Sequence, residues 1–261
     1  MEATMELKDE VAIVTGGGYG IGEAVSLKLA KEGATVGIAD LNLDSAKRVA
    51  DNIISQGGKA LPMKTDVCIS AEVKKMVQQV VDKYGKVDIL VNNVGVSPKG
   101  PKGEGLRTWL IPDEEWEFTI RVNLTSTFYC TREVIPHMIK RKAGKIVLMS
   151  SSVGKHGAGG GTAIAPYGAA KAGIINLTFT LAKELVSYNI RVNSVCPGMV
   201  EETMMRASAS PESNEKAIQK IPMKRFGKPA ELAEAVYFLV SPASSYITGE
   251  ILDCNGGFLM D

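Results

Sequence analysis

Short apolar runs rich in β-branched residues alternate along the chain with longer segments whose apolar positions recur every three to four residues. The short runs predict strands at Val11–Thr15, 35–39, 60–65, 87–91, 145–150 and 190–196, with a last short strand near Ile251. The longer segments predict helices at Gly20–Lys31 (through Ile21, Ala24, Val25, Leu27 and Leu29), Leu43–Ser55, 71–83, 113–141, 166–187 and Pro229–Val240. Apolar strands separated by amphipathic helices imply a parallel sheet covered on both faces, a doubly wound α/β fold. No repeat or low-complexity linker interrupts the order, so residues 1–261 are expected to form a single domain.

Three irregular stretches, 97–111, 157–165 and 201–223, break the alternation. All three leave strands at the same end, and ligands of open α/β sheets sit beyond the carboxyl ends of the strands. They are therefore expected to shape a substrate mouth, with 201–223 as a lid that closes over it.

Composition narrows the function classes. The formal net charge is +1, with acids and bases scattered along 261 residues, which disfavours a nucleic-acid footprint or a polybasic membrane anchor. Cys68, Cys130, Cys196 and Cys254 are far apart and only two histidines are present, so neither a metal site nor a disulfide framework is suggested. The acidic start lacks an apolar signal core, and no apolar run reaches the roughly 18 residues of a membrane span. The expectation is a soluble cytoplasmic protein without nucleic-acid, membrane or metal partners.

Candidate chemistry clusters at three places. Thr15–Gly22 (TGGGYGIG) joins the first strand to the first helix, and glycines at 16, 20 and 22 let a pyrophosphate approach the backbone at a helix N-terminus. Asp40 ends the second strand, where a carboxylate accepts hydrogen bonds from adenosine ribose hydroxyls and repels a 2′-phosphate. The glycine loop has Gly18-Tyr19 and no Arg or Lys for such a phosphate, so NAD is expected over NADP. Tyr167 and Lys171 lie four residues apart, hence on one helix face. An ammonium beside a phenol favours phenolate, which predicts a depressed Tyr167 pKa and a tyrosine usable as acid or base.

With turn, aspartate and Tyr/Lys pair together, the chain resembles the short-chain dehydrogenase/reductase family over nearly its whole length. Further motifs match in order: Asp66-Val67, Asn92–Gly95 (NNVG), Asn123, the serine run 150–152 and Pro197-Gly198. The resemblance implies a Rossmann-type fold and an oxidoreductase that interconverts a secondary alcohol and a ketone by hydride transfer. It implies Asn123, Ser151, Tyr167 and Lys171 as catalytic residues. It implies Gly16, Gly18, Tyr19, Ile21, Asp40, Leu41, Asp66, Val67, Asn93, Val200 and Thr203, with Tyr167 and Lys171, as the cofactor-binding set. In it, Lys171 holds the nicotinamide ribose and Asn123 helps to position a water linking Lys171 to solvent. Ser151 stands three residues before Gly154, as the family pattern asks, and Ser152 remains a competitor. Val94 replaces the family's usual alanine, and Thr203 falls one position later than its usual place.

The substrate is expected to be a small alcohol or ketone. Lys99, Lys102, Arg107, Lys155, His156 and Arg206 bring cations toward one mouth, which favours a carboxylate or sulfonate on it, with Ser152, Lys155 and His156 as substrate contacts. The alternative is reduction of a 3-oxoacyl thioester, and a more distant one is a non-catalytic dinucleotide sensor. A homotetramer is implied by the resemblance, and apolar residues on several faces of two long helices (Phe118, Phe128, Ile174, Phe179) support it.

Overall fold

A computed structural model describes residues 5–97, 107–157, 165–201 and 210–260. Its strands are β1 (Val11–Thr15), β2 (Thr35–Asp40), β3 (Lys59–Lys64), β4 (Ile89–Asn92), β5 (Gly144–Met149), β6 (Ile190–Pro197) and β7 (Ile251–Cys254). They pair in the order β3-β2-β1-β4-β5-β6-β7, every pair parallel. The strand order reverses between β1 and β4, whose last residues Thr15 and Asn92 are in register. A ligand crevice is expected at that point, outside the strand ends.

The strands lie between two apolar layers because successive side chains point to opposite faces. On β1, Ala12 and Val14 face helices α1 (Gly20–Lys31), α2 (Leu43–Ser55) and α9 (Pro229–Val240), packing among Val25, Leu29, Val49, Leu232 and Val236. Val11 and Ile13 face α3 (Ser70–Tyr84), α5 (Ser126–Arg141) and α7 (Ala165–Leu185), among Val73, Val77, Val134, Met138 and Leu181. The doubly wound fold expected from the pattern is therefore present. Ile174, expected on an unburied face, lies in this second layer at 1 % exposure, whereas Phe118, Phe128 and Phe179 are exposed. No helix among the described residues is long and apolar enough to cross a membrane.

Two elements differ from the sequence expectation. The helix expected over 113–141 is α4 (Asp113–Ile120) and α5 joined by a π-helical turn at Arg121–Thr125. Such turns insert one residue into the hydrogen-bond ladder and recur at functional sites; this one contains Asn123. The stretch 201–223, expected to be irregular, contains α8 (Pro211–Gln219). Ser210 caps it through the Ser213 N–H at 3.2 Å, and proline occupies its first position, an N-terminal signal present in the sequence. The short α6 (Ser152–His156) follows β5.

At the opposite end of the sheet from the crevice, Asp88 ties three elements together. Its carboxylate accepts the Val11 N–H at 2.8 Å and pairs with Lys86 at 2.9 Å and with Arg141, at the end of α5, at 2.6 Å. Burial alone would raise its pKa, but Lys86, the Val11 N–H and Arg141 outweigh it, so the net shift is downward. A depressed carboxylate contributes stability above its unfolded pKa and loses it as pH falls through the folded value. Asp88→Asn should therefore cost about 2 kcal/mol at pH 7. In urea denaturation the gap from wild type should close as pH falls below the ordinary carboxylate range; a gap independent of pH would show that the carboxylate charge is not involved.

Candidate active site

At the crevice, the turn after β1 is shaped by contacts that only glycine allows. Gly16 and Gly20 have φ of +61° and +57°. A Cβ on Gly22 would stand 2.0 Å from the Gly16 carbonyl oxygen, so the turn folds back on the helix start with no room for a side chain. The α1 N-cap, Tyr19, provides no side-chain cap, unlike Asn42 of α2 or Ser210 of α8. A bare cradle at the N-terminus of a 12-residue helix suits a pyrophosphate. Ile21 packs against the adjoining apolar layer. Asn93 braces the turn from β4: its Nδ2 donates to the Thr15 and Gly16 carbonyls, both at 3.2 Å, and its N–H donates to Thr15 Oγ1 at 3.1 Å.

Asp40 stands at the edge of this cradle. Its Oδ2 accepts the Gly18 N–H at 3.0 Å, and its Oδ1 accepts the Asn42 N–H at 2.9 Å. Tyr19 and Leu41 are exposed beside it, 48 % and 65 % accessible, as residues that would border an adenosine must be. Asp66 caps the turn before α3 by accepting the Cys68 N–H at 2.9 Å, and Val67 is buried behind it. The glycine loop carries no cation, as expected, but α2 supplies one. Arg48 donates to the Gly18 carbonyl at 3.0 Å and to both oxygens of Glu23. Nothing within the loop signals this cation; Arg48 lies one helical turn past Ser45, which packs on Gly18.

Further along the crevice, β5, α6, α7 and the π turn converge. Lys171 is 3 % exposed, and its Nζ donates to the Met149 carbonyl at 2.7 Å. A Cβ on Gly95 would lie 3.0 Å from Asn123 Oδ1 and 3.2 Å from Lys171 Nζ, so the glycine of NNVG lets those two groups approach. Asn123 is wholly buried; its amide pairs with both the N–H and the carbonyl of Val96, at 3.1 and 2.9 Å, and with the Thr119 carbonyl. Of the three serines, Ser151 is the one whose side chain acts on the Tyr167 hydroxyl, opposing the effect of burial, and the Tyr167 ring centre lies 5.6 Å from Lys171 Nζ. Ser151 is also the N-cap of α6, accepting the Val153 N–H at 3.3 Å. Ser150 is structural, its Oγ donating to the Lys171 carbonyl at 2.9 Å, and Ser152 is buried in the first position of α6.

The electrostatics correct one expectation. Burial raises the Tyr167 pKa, with the Ser151 hydrogen bond opposing it, so the phenol is not depressed toward phenolate. Burial also lowers Lys171 to about 8, and its Nζ is directed at the Met149 carbonyl. A dry site disfavours both charges before the two groups can favour each other. Cys196, which sequence reading left unassigned, lies close enough to influence both and is itself pushed up by burial.

Lys155 is corrected as well. It forms an ion pair at 2.7 Å with Asp253, a β7 residue 98 positions away that sequence reading did not consider, so its charge is already matched within the fold. The His156 ring packs against Phe258, centres 5.5 Å apart. Arg107 lies over the Trp109 ring at 5.7 Å. Val200 is buried and bridges Gly227. Thr203, Lys99, Lys102 and Arg206 lie outside the described residues, as does the first part of the expected lid.

Residues 16–259 match a family model described as enoyl-(acyl carrier protein) reductase. The chain is 41 % identical over 259 residues to a 3-oxoacyl-(acyl-carrier-protein) reductase FabG of Thermotoga maritima, covering 98 % of this chain and all of that one. It is 40 % identical to the FabG of Aquifex aeolicus, covering 97 % of this chain and 98 % of that one. Among solved structures, the protein titled gox2181 superposes with a TM-score of 0.91 at 33 % identity, covering 98 % of this chain and 97 % of that one.

The buried lysine has a measurable consequence. A base whose folded pKa lies below its unfolded value opposes folding; the penalty is complete below about pH 8 and fades as pH rises toward 10.5. Across that window the wild type should gain up to about 3 kcal/mol of stability relative to Lys171→Met. Urea midpoints measured at a series of pH values check this. Parallel curves for the two proteins would mean that the ammonium is solvated.

Proposed function

The chain belongs to the short-chain dehydrogenase/reductase family, and on that premise we propose that it reduces the 3-keto group of a 3-oxoacyl thioester with NADH. Family membership makes it an oxidoreductase that uses a nicotinamide dinucleotide. The observation that carries the reductive reading is the buried Tyr167 hydroxyl, held neutral by burial against Ser151. A protonated phenol is the form that donates to a carbonyl oxygen. The names of the full-length bacterial relatives supply the substrate class.

In this reading the Ser151 and Tyr167 hydroxyls hold the keto oxygen between them, two donors fixed in place before reaction. A nicotinamide dinucleotide, when bound, would supply the hydride for the keto carbon. Tyr167 passes its proton to the oxygen, giving a 3-hydroxyacyl thioester. Lys171, its pKa lowered by burial to about 8, returns a proton to the phenolate, and its buried side chain is positioned to hold the nicotinamide ribose. Asn123 holds the 95–96 backbone beside Lys171 Nζ. The glycine cradle takes the pyrophosphate. Asp40, fixed by the Gly18 and Asn42 N–H groups, accepts from the adenosine ribose and repels a 2′-phosphate, which favours NADH over NADPH.

An anionic small-molecule alcohol is the weaker reading, because Lys155, its foremost contact, is matched by Asp253. A non-catalytic sensor would have no use for a serine hydroxyl placed to act on a buried Tyr167 phenol. Exposed Phe118 and Phe128 on the α4–α5 run and Phe179 on α7 support burial between subunits of a homotetramer.

With acetoacetyl-coenzyme A as a short thioester substrate, Tyr167→Phe should lose at least about 100-fold in kcat while keeping NADH binding. Ser151→Ala should behave alike and Ser152→Ala should retain most activity; a reversed order would move the catalytic serine by one position. Wild type should favour NADH over NADPH in kcat/KM, and equal efficiency would remove Asp40 from the argument. Light scattering at micromolar concentration should give the mass of four chains, and a monomer would end the oligomer reading.

A further inference from the structure

At the outer end of the glycine cradle, a guanidinium is held in a way that the reaction at the other end does not require. Arg48, on α2, reaches across to the turn and donates Nη2 to the Gly18 carbonyl at 3.0 Å. Its two terminal nitrogens also engage both oxygens of Glu23, in the first turn of α1, at 2.7 and 2.6 Å. Asp40 holds the N–H of the same glycine at 3.0 Å. Asp40 and Arg48 thus touch one residue from its two ends, a carboxylate and a cation beside the same ribose edge.

Position 18 cannot contribute a side chain of its own. A Cβ there would stand 2.9 Å from Asp40 Oδ2 and 2.9 Å from Ser45 Cβ, with the Ala46 nitrogen at 3.1 Å. A planar guanidinium fork is the group best shaped to bind a phosphate through paired hydrogen bonds. Here a carboxylate already fills that fork, and Glu23 raises the Arg48 pKa further. The Arg48 side chain is 56 % exposed and that of Glu23 22 %. Solvent-facing pairs of this kind contribute little to folding, so holding the fold together is a poor account of the pair.

We propose that Glu23 is a specificity-determining residue for the dinucleotide: by occupying the Arg48 fork it withholds from a 2′-phosphate the cation that would otherwise bind it. Asp40 repels the phosphate directly, and Glu23 removes the compensation. The two carboxylates act by different routes, one from the end of β2 and one through α2, so their effects should combine when both are removed. The inference rests on the reading that this turn holds an adenosine ribose, and it requires nothing of Tyr167 or Ser151.

Binding decides the matter without turnover. Dissociation constants for NADH and NADPH, and for 5′-ADP and 2′,5′-ADP as fragments, are measured by calorimetry on wild type, Glu23→Gln, Arg48→Met and the double variant. Glu23→Gln should raise the affinity ratio of phosphorylated to unphosphorylated ligand by about five- to tenfold, the worth of one partly solvated charge-assisted contact. The gain should shrink with added salt and vanish when Arg48→Met is combined with it. An unchanged ratio in Glu23→Gln, or a gain that survives loss of Arg48, overturns the proposal. A pair that merely latches α1 to α2 would weaken both ligands together and leave the ratio where it was. A wild type that binds neither ligand overturns the ribose reading itself, an outcome distinct from an unchanged ratio.

Discussion

Burial of the Lys171 amine is the constraint on which the reaction end of the crevice depends. Its Nζ reaches the Met149 carbonyl at the end of β5, and its own carbonyl accepts from Ser150. One residue of α7 is therefore tied to the strand end by both side chain and backbone. Two glycines make that approach possible. A Cβ on Gly154 would stand 2.7 Å from the Lys171 backbone, and one on Gly95 would crowd Nζ and Asn123. With α6 drawn onto α7, its N-cap Ser151 meets the Tyr167 hydroxyl. Excluding water from this knot strengthens every dipole in it and also discourages every charge, so Tyr167 stays neutral and Lys171 gives up its proton more readily.

The two ends of the crevice use charge in opposite ways. At the reaction end the side chains are buried and the hydroxyls are kept neutral. At the Asp40 end, Glu23 and Arg48 meet solvent, and the selectivity proposed for that end depends on which charges are paired with which. The glycine turn lies between these regimes, braced by Asn93 across the point where the strand order reverses.

What could be read from the sequence was local. The strand–turn–helix around Thr15–Gly22, the four-residue step from Tyr167 to Lys171 and the apolar runs of the strands each depend on residues close in sequence. The helices Gly20–Lys31, Leu43–Ser55 and Pro229–Val240 have the expected bounds for that reason. Long-range pairings could not be read: Lys155 finds Asp253 across 98 positions and Arg48 finds Glu23 across 25, and no pattern in the chain announces either. The direction of the Tyr167 shift failed on the same ground. The i,i+4 step places a cation nearby, but only packing decides how dry the pair is and where the amine turns. The helix α8 was a different kind of miss, since Ser210-Pro211 carried a start signal that a loop reading overlooked.

The central claim is that Tyr167 is a neutral proton donor, kept so by burial, and ultraviolet titration tests it most directly. The tyrosinate absorption of wild type minus that of Tyr167→Phe isolates this one phenol. No signal is expected at pH 8, with ionisation only above the ordinary tyrosine value of 10. A difference signal that is complete by pH 8 would show a phenolate in the resting site and contradict it.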